Sequence, residues 1–516
     1  MNDRINTSTA NLVSYTSLDR AFAASMLVCG FLYLNLIKPI SFGAGVSIFT
    51  AVLMVVTIFY LKKSGVVLTK ESAIWAAPLS LSAMSFIIFD NWALKALNFV
   101  FLSLMYLYWV SVSSNSRVDG KLSSYIIGDL LNQILIVPFS NFICCFGAVR
   151  SGNASNRQWK GFFGALTGVL VFLPVLILVV NLLIDADAAF ESVAEKIKFS
   201  ISEDVFEFML QIILGIPIAC YIFGSVFGNR YKKHTGRITK GSIDKTAAGI
   251  QFAPKITVYA ALTALNIIYI IFFIAGASYF FSAFSNDLPG AMTYAEYARR
   301  GFFELCAVSA INLMVTVVAI VITERENKEI GEIPKALKME IAALCIFTLM
   351  LIITAIRKMI LYIDYYGLTQ LRVYTTWFMF VLFIIFIIVA LRQIKTFDSA
   401  RVIAVTVILG FLLLTYSNVD GNIAKYNIER FEEGTLRTID AEALSELSDG
   451  AVPHIYELYK ETRDESLRQQ LAEVLAVEQA TDDGDPDYEE TFRDFNLQKS
   501  NADQIRALIS QSEGTI

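Results

Sequence analysis

Residues 293–305 read Thr293-Tyr-Ala-Glu-Tyr-Ala-Arg-Arg-Gly-Phe-Phe-Glu-Leu305. Thr293 and Glu296 have the spacing of a capping box, which predicts a helix start at Thr293. At helical spacing Tyr294, Tyr297, Gly301 and Glu304 share a face, with Arg300 beside it. From Phe302 the chain turns apolar and stays so to Ile322, long enough to cross a bilayer. An apolar helix that opens on tyrosines, arginines and a glutamate is expected to do more than anchor the chain.

The same pattern recurs outward from this stretch. The chain has 516 residues, 55% of them hydrophobic and 17% charged, against about 25% charged in an ordinary soluble domain. Long uncharged runs with so little charge imply a polytopic membrane protein, and spanning segments that satisfy their own backbone imply helices. No series of short alternating segments suggests a β-barrel. Spans are expected at Ala21–Ile37, Phe42–Leu61, Ser72–Phe89, Asn91–Val112, Gly161–Ile184, Val205–Gly228, Ile256–Phe281, Phe302–Ile322, Met339–Met359, Val373–Leu391 and Val402–Ser417. The first is read as an uncleaved span, since no small-residue cleavage site follows it. Tyr125–Val149 is apolar but interrupted by Asp129, Asn132, Gln133, Pro138 and Asn141, with basic residues at both ends. Matching charge at both ends predicts a segment that lies in the interface or re-enters rather than crosses. The expected fold is therefore all-α, with about 11 transmembrane helices, one interfacial or re-entrant segment and a small helical C-terminal domain.

Charge divides the chain. Residues 419–516 hold 23 acidic and nine basic residues, whereas the whole chain is at −5. A basic membrane part and an acidic tail suggest three regions: 1–158, 159–418 and 419–516. Nucleic acid and anionic lipid surfaces are excluded as partners of such a tail. Within the tail, helices are expected at Thr438–Leu447, Val452–Thr462, Ser466–Glu478 and Asp503–Gln511. The loop Asn229–Lys255 holds seven basic residues and is expected to be cytoplasmic. The N-terminus then falls inside and the tail outside.

The six cysteines all lie in apolar stretches without a C-x-x-C pair, and there are only two histidines, His234 and His454. Neither a disulfide framework, a zinc site nor a Ser-His-Asp triad is expected. Asn418-x-Asp420-x-Asn422 imitates a calcium loop but has Ile423 where glycine is required. No metal and no cofactor is expected.

Three stretches fall on the expected outer face: Tyr294–Glu304, Arg357–Arg372 and Asn418–Arg430. Their segments Tyr297–Phe303, Tyr366–Arg372 and Ala424–Arg430 read Tyr-Ala-Arg-x-Gly-Phe-Phe, Tyr-Gly-Leu-Thr-x-Leu-Arg and Ala-x-Tyr-Asn-x-x-Arg. In these the chain resembles an uncharacterised family of bacterial polytopic membrane proteins, catalogued as a domain of unknown function. The resemblance covers roughly Trp159 to Pro453 and implies a bacterial cytoplasmic (inner) membrane. It brings no agreed activity.

Guanidinium forks with phenols suit phosphate or carboxylate headgroups. Tyr297, Arg299, Arg300, Glu304, Asn312, Tyr366, Arg372, Tyr426, Asn427 and Arg430 are therefore the candidate binding residues, with Asn312 expected near the face of Glu304. An aromatic belt with snorkelling arginines, or a surface on which the tail docks, would use the same residue types. The expected role is binding an envelope lipid or a membrane-protein partner, as a regulator or assembly factor, from within the lipid bilayer. The alternatives are a transporter of a small or anionic solute, and an enzyme that uses Asp364 or Glu304 on a lipid-linked substrate.

Overall fold

The computed structural model describes residues 14–37, 42–151, 179–180, 182–184, 186, 203–276, 301–324, 333–476 and 491–513. Four long helices come first: α1 (Ser17–Leu36), α2 (Ala44–Lys63), α3 (Lys70–Ile88) and α4 (Trp92–Ser113). A broken pair follows, α5 (Ile126–Ser140) and α6 (Cys144–Arg150), with a bend of 42° between them. Then come α7 (Glu203–Arg230), α8 (Lys240–Ile250), α9 (Lys255–Ala275), α10 (Phe302–Ile322), α11 (Lys335–Tyr366), α12 (Gln370–Ile394) and α13 (Ser399–Thr415). The tail forms α14 (Val419–Glu432), α15 (Ala441–Ser445), α16 (Val452–Glu461), α17 (Glu465–Ala476) and α18 (Leu497–Glu513). Among the described residues, nine helices are long and apolar enough to span a membrane, or up to eleven if each bent pair is one span. The second bent pair is α13 with α14, at 59°. The expected span Gly161–Ile184 lies almost wholly outside the described residues.

Polar and apolar side chains are arranged as a bilayer requires. Val55, Ile268, Ile271, Val317 and Leu413 point outward, where lipid covers them at no cost. The buried polar groups pair between helices instead. Thr57 and Tyr106 meet at 2.9 Å, and Asn98 donates to the Ser82 carbonyl and the Ser85 hydroxyl. Helix α1 crosses α7 closely: a Cβ on Gly30 would stand 2.1 Å from the Gly215 carbonyl oxygen, so only glycine admits it.

The helices define two faces. On one lie the start of α1, the end of α7 and a short bridge between Ala253 and Thr323. This face carries Lys62, Lys63, Lys70, Arg117 and the basic loop after Arg230. On the other lie the α1–α2, α3–α4 and α11–α12 turns and the tail. Helix α11, at 32 residues, is about 48 Å long and outreaches a hydrocarbon core of about 30 Å.

The pair α5–α6 stays on the basic face. Its start is tied to Val118, whose N–H donates to Asp129 at 2.6 Å. Its end, at Gly147, packs on Tyr15, whose ring lies 5.8 Å from Phe227 near the end of α7. Between these ends the segment reaches Tyr221, whose hydroxyl donates to the Ile134 carbonyl at 2.9 Å. Tyr221 is nine residues before Arg230, about 14 Å along the helix. The 42° bend makes the pair either a broken span or a re-entrant segment.

Two expectations at the opening stretch need revision. Gly301 has φ +83°, a left-handed conformation that a continuous helix does not contain, so the expected helical run through Gly301 is interrupted and α10 begins at Phe302; the start expected at Thr293 lies outside the described residues. Glu304 and Asn312 do not share a face. Eight residues advance a helix by about 80° beyond two full turns. Asn312 is buried with Phe302, Leu305 and Ser309 while Glu304 is exposed. In the tail α15 is shorter than expected, the end of the helix expected at Ser466–Glu478 lies outside the described residues, and α18 starts six residues before Asp503.

One ion pair closes the basic face. Asp19, fully buried, accepts from Arg230 at 2.6 Å and from the hydroxyls of Tyr60 and Tyr231 at 2.7 Å each. Asp19→Ala leaves Arg230 without its carboxylate and is expected to destabilise the protein by about 3–5 kcal/mol, read as a fall in the denaturation midpoint in micelles.

Candidate functional site

The site grows from the end of α11. A helix end leaves carbonyls unpaired, and here they are met from the next helix. Arg372 Nη1 donates to the carbonyls of Tyr366, at 3.0 Å, and Gly367, at 2.6 Å. Its guanidinium stacks on the Tyr362 ring, 4.3 Å from the centroid. Gly367 has φ +74°, and a Cβ on it would stand 2.4 Å from Asn427 Oδ1. The glycine thus supplies both the turn and the space for Asn427. The Asn427 amide closes a two-point clamp on the turn: Oδ1 accepts the Leu368 N–H at 2.7 Å and Nδ2 donates to the Leu368 carbonyl at 2.9 Å. Two of the stretches singled out in the sequence therefore meet atom to atom.

Asp420 joins the same junction from the first turn of α14. It is 1% exposed. Oδ1 accepts from Gln370 Nε2 at 2.8 Å, and Oδ2 accepts from Asn91 Nδ2 at 2.8 Å and from the N–H and hydroxyl of Ser448. Asn91 also donates to the Tyr374 hydroxyl at 2.9 Å. One carboxylate so links the α3–α4 turn, α12 and the tail. In the sequence Asp420 is an acid of the third stretch and of an imperfect calcium loop; the structure places it on a helix, with its oxygens held by amides and a serine.

The tail returns to the membrane helices at a second place. Asn496 donates to Asp90 at 2.7 Å, and Asp90 pairs with the buried Lys95 at 2.8 Å. Gln498 accepts the Asp90 N–H at 2.9 Å and donates to Asn418 at 2.6 Å. The carbonyls of Phe495 and Arg493 accept the N–H groups of Ala44 and Gly45 at 2.9 and 2.8 Å. Beneath these bonds Leu94, Leu414, Val419 and Ile423 pack in one apolar cluster with Leu444, Ile455 and Leu471 of the tail.

The expected site residues separate into groups. Tyr297, Arg299 and Arg300 lie outside the described residues. Glu304 is exposed on α10. Asn312 accepts from Tyr269 and donates to Thr348, at 2.8 and 2.9 Å, deep in the α9–α10–α11 bundle and away from the junction. Arg430 pairs with Asp364 at 3.2 Å, Tyr426 at 3.0 Å and Thr435 at 3.0 Å, half-exposed groups whose net worth is small. Tyr366, Arg372, Tyr426, Asn427 and Arg430 surround one turn. Beside Arg372 lies a groove of about 240 Å³ walled by Phe302, Phe303, Met359, Tyr362, Leu371 and Thr375. The start of α10 thus reaches the same place as the end of α11.

A multi-pass helical membrane protein with a helical tail packed against the ends of its spans is the class these features define. The chain belongs to the family described as a domain of unknown function, DUF4153, whose model matches residues 76–458. The match starts in α3, well before the Trp159 at which the resemblance was placed, so it takes in the α3–α4 turn with Asn91 as well as Asp420 and the clamp. No curated protein and no solved structure matches the chain.

Asn427→Ala removes both clamp bonds and leaves the Leu368 backbone unpaired. It is expected to lower stability by about 1–3 kcal/mol and to speed protease cleavage in the tail before the membrane helices unfold. A pH effect follows from Asp449, which accepts from Arg506 at 2.5 Å. Burial and the nearby Asp90 carboxylate outweigh Arg506 and push Asp449 from 3.8 up to about 6. The folded chain then binds this proton more tightly than the unfolded chain, so the stabilisation is full below 3.8 and is lost as pH rises through about 6. The melting midpoint should fall between pH 4 and pH 7, and Asp449→Asn should reduce that fall.

Proposed function

We propose that this is an envelope-facing binding protein of a bacterial cytoplasmic membrane, which holds an anionic amphiphile at the tail-side groove and acts as a regulator or assembly factor. The observation that carries the reading is the groove itself. A guanidinium, fixed by two carbonyls and a tyrosine ring, stands among Phe302, Phe303, Met359 and Leu371. Phe303 and Leu371 are about half exposed, at 48% and 59%. An apolar wall with one arginine at the end of a spanning helix matches an acyl chain with a phosphate or carboxylate at its head. The face with the basic loops is taken as cytoplasmic, which puts the groove and tail outside.

Transport receives less support. Asn312, a polar residue that a solute path would use, has both of its amide atoms engaged by Tyr269 and Thr348. Catalysis at Asp364 receives less too, since that carboxylate faces Arg430 at 3.2 Å.

Native mass spectrometry with phosphatidylglycerol and phosphatidylcholine in competition tests the reading. The wild type is expected to retain phosphatidylglycerol preferentially. Arg372→Gln should lose about ten-fold of that preference, the worth of one charge-assisted contact. Phe303→Ala with Leu371→Ala should weaken retention while the tail stays protected from protease. Equal retention of both lipids by the wild type would overturn it.

A further inference from the structure

On the basic face, remote from the groove and independent of its reading, the broken pair α5–α6 presents a buried polar surface. Asp129, Asn132 and Gln133 stand at i, i+3 and i+4 and so share one face. Each is 1% exposed. Gln133 and Asn229 of α7 exchange amide bonds at 3.1 and 2.6 Å, and Asn132 Nδ2 donates to the Thr235 carbonyl at 2.8 Å. Asp129 Oδ1 accepts the Val118 N–H at 2.6 Å. Two buried oxygens remain, Asp129 Oδ2 and Asn132 Oδ1, and neither has a partner among the described residues. The helix is π-type from Asn132 to Ile136, a distortion that concentrates at functional sites.

The neighbouring charges are matched elsewhere. Arg117 is the nearest cation, but it holds Glu71 through both Nη atoms at 2.5 and 2.8 Å. Asp119 faces Lys240 at 3.6 Å, and Asp244 accepts the Tyr125 hydroxyl at 2.8 Å. Lys232 donates to the carbonyls of Ser114 and Asn115. From α7 the neutral Asn229 meets Gln133. Arg117 attracts the Asp129 carboxylate through space but makes its ion pair with Glu71, so Asp129 keeps a buried oxygen that no donor touches, and a positive charge bound directly to it would lower the cost of its burial. Water would satisfy the hydrogen bonds but not the charge.

The missing charge is a single one. Among the described residues no group of three His, Cys, Asp or Glu gathers, so transition metals and divalent ions lack the ligands they need. One carboxylate beside a neutral amide oxygen, at a broken helix inside a membrane protein, is the kind of oxygen set that takes an alkali-metal ion. We infer that Asp129 Oδ2 and Asn132 Oδ1 are ligands of a sodium-sized monovalent cation bound where α5 meets α7.

The test is thermal unfolding of the full-length protein in micelles, at fixed pH and ionic strength, in LiCl, NaCl, KCl or choline chloride. The wild type is expected to show a saturable rise in midpoint with an alkali ion over choline. Asp129→Asn should abolish that rise. Asn132→Ala, which keeps the charge, should raise the half-saturating ion concentration roughly ten-fold. If Asp129→Asn does not fold, calorimetric titration of the chosen ion into wild type and Asn132→Ala reads the same difference. Identical midpoints in all four salts would overturn the inference, since water or a proton alone would then occupy the site. An unchanged ion response in the variants that fold would overturn it as well, because the ion would bind elsewhere.

Discussion

The Asp420 carboxylate is the bond on which the tail-side architecture depends. A buried carboxylate is tolerated only where donors surround it, and here the donors come from three parts of the chain: Asn91, Gln370 and Ser448. Oδ1 depends on Gln370 and Oδ2 is shared by Asn91 and Ser448, so the α3–α4 turn, α12 and the tail hold one another in register. Asn427 does the same for the backbone at Leu368, and Asn496 and Gln498 for Asp90. The tail is therefore attached through amide and carboxylate groups that each satisfy two demands, rather than through charge attraction between an acidic domain and a basic membrane part.

This has a consequence for how the two faces differ. On the tail side Asp420, Asn427 and Asp90 have their oxygens engaged, and an arginine is left with an apolar groove at its side. On the opposite side Asp19 with Arg230 is a closed pair, whereas Asp129 and Asn132 each keep a buried oxygen without a partner. Both faces use the same chemistry of buried oxygens and fixed donors. They differ in whether the set is complete, and an incomplete buried set is the more informative of the two.

The three stretches marked by their arginines and tyrosines were legible because such residues are uncommon at the ends of apolar helices. What they do there was less legible. Arg372 reads as a headgroup binder, yet Nη1 is engaged by the end of α11. Asn427 and Gly367 carry no charge and attract little attention alone, although the clamp needs both. Asp420 was visible but its role was not, because its partners lie 28, 50 and 329 residues away. Asn312 and Glu304 were grouped by an eight-residue spacing that a helix turns into a difference of face.

By itself the sequence determined the membrane class, the helices and the interrupted character of Tyr125–Val149. Hydrophobic length, local capping and the placement of lysine and arginine are properties of short windows, and the bilayer allows few solutions to them. Only the tertiary structure decided that the tail shares one apolar cluster with α4 and α13, that the spanning helix starts at Phe302 behind a left-handed Gly301, and that Asp129 and Asn132 each leave a buried oxygen unmatched. Those outcomes depend on which groups meet across hundreds of residues, and a donor or acceptor is satisfied or left over only after every neighbour has found its place.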